Sequence, residues 1–118
     1  MEPEGQAREP GSPSSGAERR AAPRLPSTLK VMCYPSGSGL LERRQARVRN
    51  VSRTGIGLSV DRAWPPDTRL MVELPAEDGV RPVRCRVIHS TPQIGGTFLV
   101  GCVFESALTD AEVQALTR

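Results

Sequence analysis

Ala46-Arg47-Val48-Arg49-Asn50-Val51-Ser52-Arg53-Thr54-Gly55-Ile56-Gly57-Leu58-Ser59-Val60 is the stretch whose reading decides the fold. Ala46, Val48 and Asn50 alternate with Arg47, Arg49 and Val51, the two-residue period of a strand with a strongly basic outer row. Asn50 to Gly55 then reads as a turn. Asn and Ser side chains bond local backbone or present their polar atoms to a ligand, and Gly55 permits a positive φ or a close backbone approach. Ile56, Leu58 and Val60 alternate with Gly57 and Ser59, which gives a second strand.

The same grammar continues on both sides. Leu29 to Tyr34 reads as a first strand, closed by Pro35-Ser36-Gly37-Ser38-Gly39. After a turn at Trp64-Pro65-Pro66-Asp67, Leu70, Val72 and Leu74 alternate with Met71 and Glu73. A turn at Ala76 to Gly79 precedes Val83, Cys85 and Val87, which alternate with Arg84 and Arg86. Pro92 to Gly96 turns the chain again, and Phe98 to Phe104 is a nearly continuous apolar run around Gly101. Short strands at even spacing argue for an all-β barrel or sandwich. The period changes at Thr109-Asp110-Ala111-Glu112, a capping box, with Leu108 and Val113 placed for a hydrophobic staple. Val113 and Leu116 then share one face of a short helix.

The chain has 118 residues, enough for one modest core. Its first part, to about Gly16, is Pro, Gly, Ser, Glu and Ala, a composition expected to stay disordered. The expected organisation is a tail over 1–17, a Pro- and Arg-rich arm over 18–26, a barrel over 27–105 and a terminal helix over 106–118. The net charge of +3 is mild. Arg43, Arg44, Arg47, Arg49 and Arg53 crowd together, and Arg19, Arg20 and Arg24 form a second cluster. A solvated basic face accounts for such clusters on charge alone. Cys33, Cys85 and Cys102 are odd in number, lack C-x-x-C spacing and sit among apolar residues, so they read as reduced core thiols. No basic start precedes an apolar stretch and nothing approaches membrane-spanning length, so a soluble, cytoplasmic protein without membrane insertion is expected.

Catalysis finds little support. His89 is the only histidine, at the end of an apolar strand between Ile88 and Ser90, and reads as structural. The carboxylates show no paired spacing, and no phosphate loop or nucleophile elbow is present. Neither metal nor cofactor is expected. Two other patterns stand out. Arg20-Ala21-Ala22-Pro23-Arg24 places two arginines four residues apart, on one side of an extended segment and roughly 13 Å apart. They can grip opposite ends of a medium-sized anion. The second pattern is the Asn50-Val51-Ser52-Arg53-Thr54-Gly55 turn.

An R-x-x-x-R, then an N-x-S-x-x-G, then strands ending in Gly101-Cys102-Val103-Phe104 and a short helix together resemble the PilZ family. The resemblance covers Glu18 to Leu116. It implies a six-stranded antiparallel barrel with a C-terminal helix, in a stand-alone receptor for the bacterial second messenger cyclic di-GMP. It assigns Arg20 and Arg24 to the guanine bases and phosphates, Asn50 and Ser52 to a guanine and the backbone, and Gly55 to the shape of the turn. Arg53, inside the motif, would be a minor contact. Arg19, beside the first motif, would influence whether one ligand or an intercalated pair binds. Ligand would order the arm and signal to an unidentified downstream protein. The alternatives are a PilZ-like protein-interaction adapter that binds no nucleotide and, less favoured, a basic barrel binding nucleic acid. Against the latter, Tyr34, Trp64, Phe98 and Phe104 are too few for a stacking platform.

Overall fold

The computed structural model describes residues 23–38 and 40–117. In chain order these form β1 (Leu25–Pro26), β2 (Lys30–Pro35), a 3-10 turn (Leu40–Glu42), β3 (Arg44–Val51), β4 (Gly55–Val60), β5 (Arg69–Ala76), β6 (Gly79–Pro92), β7 (Phe98–Phe104) and α1 (Asp110–Leu116). Neighbours follow the order β3-β2-β5-β6-β7-β4, and β4 pairs back onto β3. This closes the six-stranded antiparallel barrel. β1 adds two residues beside the end of β3, Leu25 opposite Val51 and Pro26 opposite Asn50.

The alternating positions meet inside. Val48, Leu58, Leu70, Val72, Val87 and Val100 are fully buried, each stabilising the fold by about 1.5–3 kcal/mol through apolar burial. Trp64, read as the start of a turn, is buried. It is held there by Ser90, whose hydroxyl donates to the Trp64 carbonyl at 2.8 Å and accepts from its N–H at 3.3 Å. At the other end of the barrel, Leu108, Val113 and Leu116 bury against the core, and α1 packs on β5. All three cysteines are free and buried. Burial pushes the Cys33 thiol up to about 12. A hydrogen bond with Cys102 and burial push Cys85 up as well. The Cys33 and Cys85 thiols therefore stay protonated and are poor nucleophiles.

Two expectations are redrawn. Simple alternation puts Asn50 on the row of Val48, but the β3–β4 register shifts between Val48 and Asn50. Arg49 is the additional residue of a β-bulge, so Val51 is fully buried and Asn50 is carried to the outer wall. Leu25 and Pro26, expected in a separate arm, belong to the sheet. Leu25 packs on the core, and Ser27 N–H donates to the Arg49 carbonyl at 3.1 Å. The tail, Arg19 and Arg20 lie outside the described residues.

The capping box forms as read. Thr109 Oγ1 accepts from Glu112 N–H at 3.1 Å, and Glu112 Oε1 accepts from Thr109 N–H at 2.8 Å. That backbone bond, helped by Arg81 at 2.6 Å from Oε2, holds the Glu112 carboxyl below its ordinary range. A depressed folded-state value contributes stability above the unfolded value, and that contribution is lost as pH falls through the folded one. The E112Q variant is therefore expected to melt below wild type at neutral pH. The gap should close on acidification through the glutamate range, as read by circular dichroism melts across pH.

Candidate functional site

The turn between β3 and β4 is built around a buried serine. Ser52 N–H donates to the Gly55 carbonyl at 2.9 Å, and its hydroxyl accepts from the Thr54 and Gly55 N–H groups at 3.2 and 3.1 Å. Ser52 is only 1% exposed, so its hydroxyl is committed to the turn's own backbone. The turn is tied to both its neighbours. Phe104 N–H donates to the Thr54 carbonyl at 2.8 Å, and Leu108 N–H donates to the Arg53 carbonyl at 2.7 Å. The Arg53 side chain points to α1, with Nε 3.4 Å from the Leu108 carbonyl and 3.8 Å from the Asp110 carboxylate.

Across this frame the second arginine of the first motif meets the turn. Arg24 Nη1 donates to Asn50 Oδ1 at 2.6 Å, joining residues 26 apart in sequence. The guanidinium also covers Gly55, where a Cβ would stand 3.0 Å from Arg24 Nη2 and 2.7 Å from the Cys102 carbonyl oxygen. The second contact is with backbone and cannot give way, so Gly55 is required by space rather than by a positive φ. Asn50 covers Gly57 in the same manner, its Oδ1 3.0 Å from where a Cβ would be. Gly57 carries no reading of its own in the sequence. Its signal is a second glycine at an outward strand position, which marks a close approach of other groups to the backbone.

The basic clusters resolve into two kinds. Arg43 pairs with Glu73 at 2.6 Å and Arg44 with Asp61 at 3.2 Å, exposed bridges worth about 0–1 kcal/mol. Arg47 and Arg49 are exposed on β3 with no ion-pair partner among the described residues. They leave positive potential beside Asn50. Among the described residues, no group of three or more His, Cys, Asp and Glu side chains is arranged to hold a metal ion.

A closed six-stranded barrel, an arginine just before β1 that lies over the β3–β4 turn, and a helical cap define a small β-barrel module. The PilZ domain model matches residues 18–118, and the chain belongs to the PilZ domain family. Among solved structures it is similar to the Bacillus subtilis Inhibitor of motility (MotI/DgrA), at 20% identity and TM-score 0.58 over 83% of this chain and 47% of that one. It is similar to the PilZ domain with c-di-GMP of YcgR from Escherichia coli, at 16% identity and TM-score 0.53 over 83% of this chain and 86% of that one. It is also similar to the K. pneumonia MrkH–c-di-GMP complex, at 15% identity and TM-score 0.59, covering 82% and 50%. The chain thus spans about half the length of the first and third of these proteins. No curated protein matches it in sequence.

Ser52→Ala removes the acceptor for two backbone N–H groups inside a packed turn. It is expected to cost about 1–3 kcal/mol of folding stability, measured by urea unfolding, with the far-ultraviolet spectrum of the barrel retained. Unchanged stability would show that the hydroxyl does not hold the turn.

Proposed function

We propose that this chain is a bacterial receptor module for cyclic di-GMP, binding it on the outer wall where Arg24, Asn50 and Gly55 converge. The observation that carries this reading is the 2.6 Å bond between Arg24 and Asn50, which brings the second arginine of R-x-x-x-R to the first residue of N-x-S-x-x-G. The chemistry suits the ligand. Guanine presents O6 and N7 acceptors that match the parallel donors of an arginine. The two phosphates favour charge-assisted bonds, and the base faces suit guanidinium stacking. Two of the structurally similar proteins carry c-di-GMP in their described complexes.

In this reading Arg20 and Arg24 are the principal ligand contacts and Asn50 contacts a guanine. Ser52 acts through the turn that positions Asn50 and Gly55. Arg19 and Arg53 have lesser parts, and Arg53 is engaged with α1. Binding fastens residues 19–24 to the barrel and presents the resulting surface to a downstream protein in the cytoplasm. No helix of the described residues is long and apolar enough to cross a membrane. Nucleic acid is the poorer fit, because Trp64 and Phe104 are buried and offer no stacking platform.

Arg24→Ala is expected to weaken cyclic di-GMP binding by roughly 2–4 kcal/mol in calorimetry, the usual cost of truncating one partner of a desolvated charged contact. Equal affinity would remove Arg24 from the site. Hydrogen exchange tests the arm. Protection on binding should rise from Arg19 to Arg24, and change little at Ser27, already bonded to Arg49, or from Phe98 to Phe104. Equal protection of residues 19–24 in both states would overturn the switch while leaving the ligand in place.

A further inference from the structure

The basic residues on and just before β3 divide along the strand. Near its start, Arg43 and Arg44 have Glu73 and Asp61 as partners. Further on, Arg47 and Arg49 are exposed and form no ion pair among the described residues, and the same holds for Lys30 on β2. Lys30 stands directly opposite Arg47 in the β2–β3 register. Like charges so placed destabilise a sheet. Lys30, Arg47 and Arg49 thus make a cationic row with no acid paired to it among the described residues. The row lies where the N-terminal segment enters the fold. Ser27 N–H donates to the Arg49 carbonyl at 3.1 Å, and Val48 N–H donates to the Leu29 carbonyl at 2.7 Å. The sequence before that entry has the opposite sign. Glu2, Glu4, Glu9 and Glu18 stand against Arg8 alone, so residues 1–18 carry a net −3 in a chain of +3, and the remainder carries +6.

We infer that the outer face of β2 and β3 at Lys30, Arg47 and Arg49 is a docking surface for the chain's own acidic segment from Glu2 to Glu9, held by ion pairs. This goes beyond the receptor reading and does not rest on it. The chain is long enough. From Pro23 forward to Lys30 it spans at most about 25 Å, and from Pro23 back to Glu9 it can extend roughly 45 Å, enough to double back along the row. Exposed ion pairs are individually weak. Tethering gives the segment an effective concentration on the order of millimolar, so a contact too weak for a free peptide is populated within one chain. Pairing also relieves the repulsion between Lys30 and Arg47. Between Glu2 and Glu9 the segment has no large apolar residue, so its hold is electrostatic and salt releases it.

Lys30 is the sole lysine of the chain, so carbodiimide coupling, which joins a carboxylate to an amine in direct contact, has one side-chain amine to report from. The full chain is coupled at low and at high salt, the monomeric product is isolated, and peptide mapping locates the joined carboxylate. Lys30 is expected to couple to Glu2, Glu4 or Glu9 at low salt, and this product should fade at high salt. R47Q/R49Q should lower its yield about fivefold, the size of one exposed ion pair, while keeping the melting temperature. An unchanged yield in that variant would show the segment meeting Lys30 by tethering alone and would overturn the docking. So would coupling of Lys30 only to Glu73, which lines the same groove, or coupling to the acidic segment found only in cross-linked dimers. E2Q/E4Q/E9Q leaves every barrel side chain in place and gives a second reading. The backbone amide resonances of Lys30, Arg47 and Arg49 should differ from wild type at low salt and coincide with it at high salt. Identical resonances at low salt would equally overturn the inference.

Discussion

Between Val48 and Asn50, β3 carries one residue more than β4, and that mismatch sets the direction of every later side chain in the strand. Without it, Asn50 would follow Val48 into an interior filled by Leu58 and Val100, where an amide lacks partners and costs free energy. Val51 would face water. With it, Val51 completes the core, Asn50 reaches the outer wall, and the Arg49 carbonyl is left to accept from Ser27. The same offset therefore secures β1 and delivers Arg24 to Asn50. A one-residue change in register would invert all of this at once.

Around this bulge the two polar residues of the turn divide their work. Ser52 is buried and spends its hydroxyl on the turn's own N–H groups. Asn50 is half-buried and spends its amide outward, on Arg24. The glycines complete the division. Gly55 is fixed by the backbone oxygen of Cys102 on the next strand, and Gly57 by the amide that lies above it.

Much of this was legible in residue order. Strand alternation located all six barrel strands, and Thr109 with Glu112 located the helix start, because both patterns are local. Bulges are not local: an extra residue is defined by its partner strand, so plain alternation put Asn50 inward and Val51 outward. The same blindness left His89 as the end of an apolar strand, since only pairing with β7 shows that Ile88 is the additional residue. Trp64 looked like part of a turn because its prolines are visible in sequence and the Ser90 that holds it is 26 residues away. Leu25 read as part of an arm because its contact is with Val51, across the sheet.

The return of β4 onto β3 has a consequence for how any protein can grasp this module. Where neighbouring strands of the ring pair on both sides, a guest segment cannot join them by strand addition. Open rails remain beside β1, a two-residue strand paired on one side only among the described residues, and where β6 runs past β7 over residues 79–84 and past β5 over residues 88–92. The rail beside β1 runs next to Arg24. Elsewhere on the ring, recognition must proceed through side-chain surfaces and loops, which ties what a partner can read to which groups the bulges turn outward.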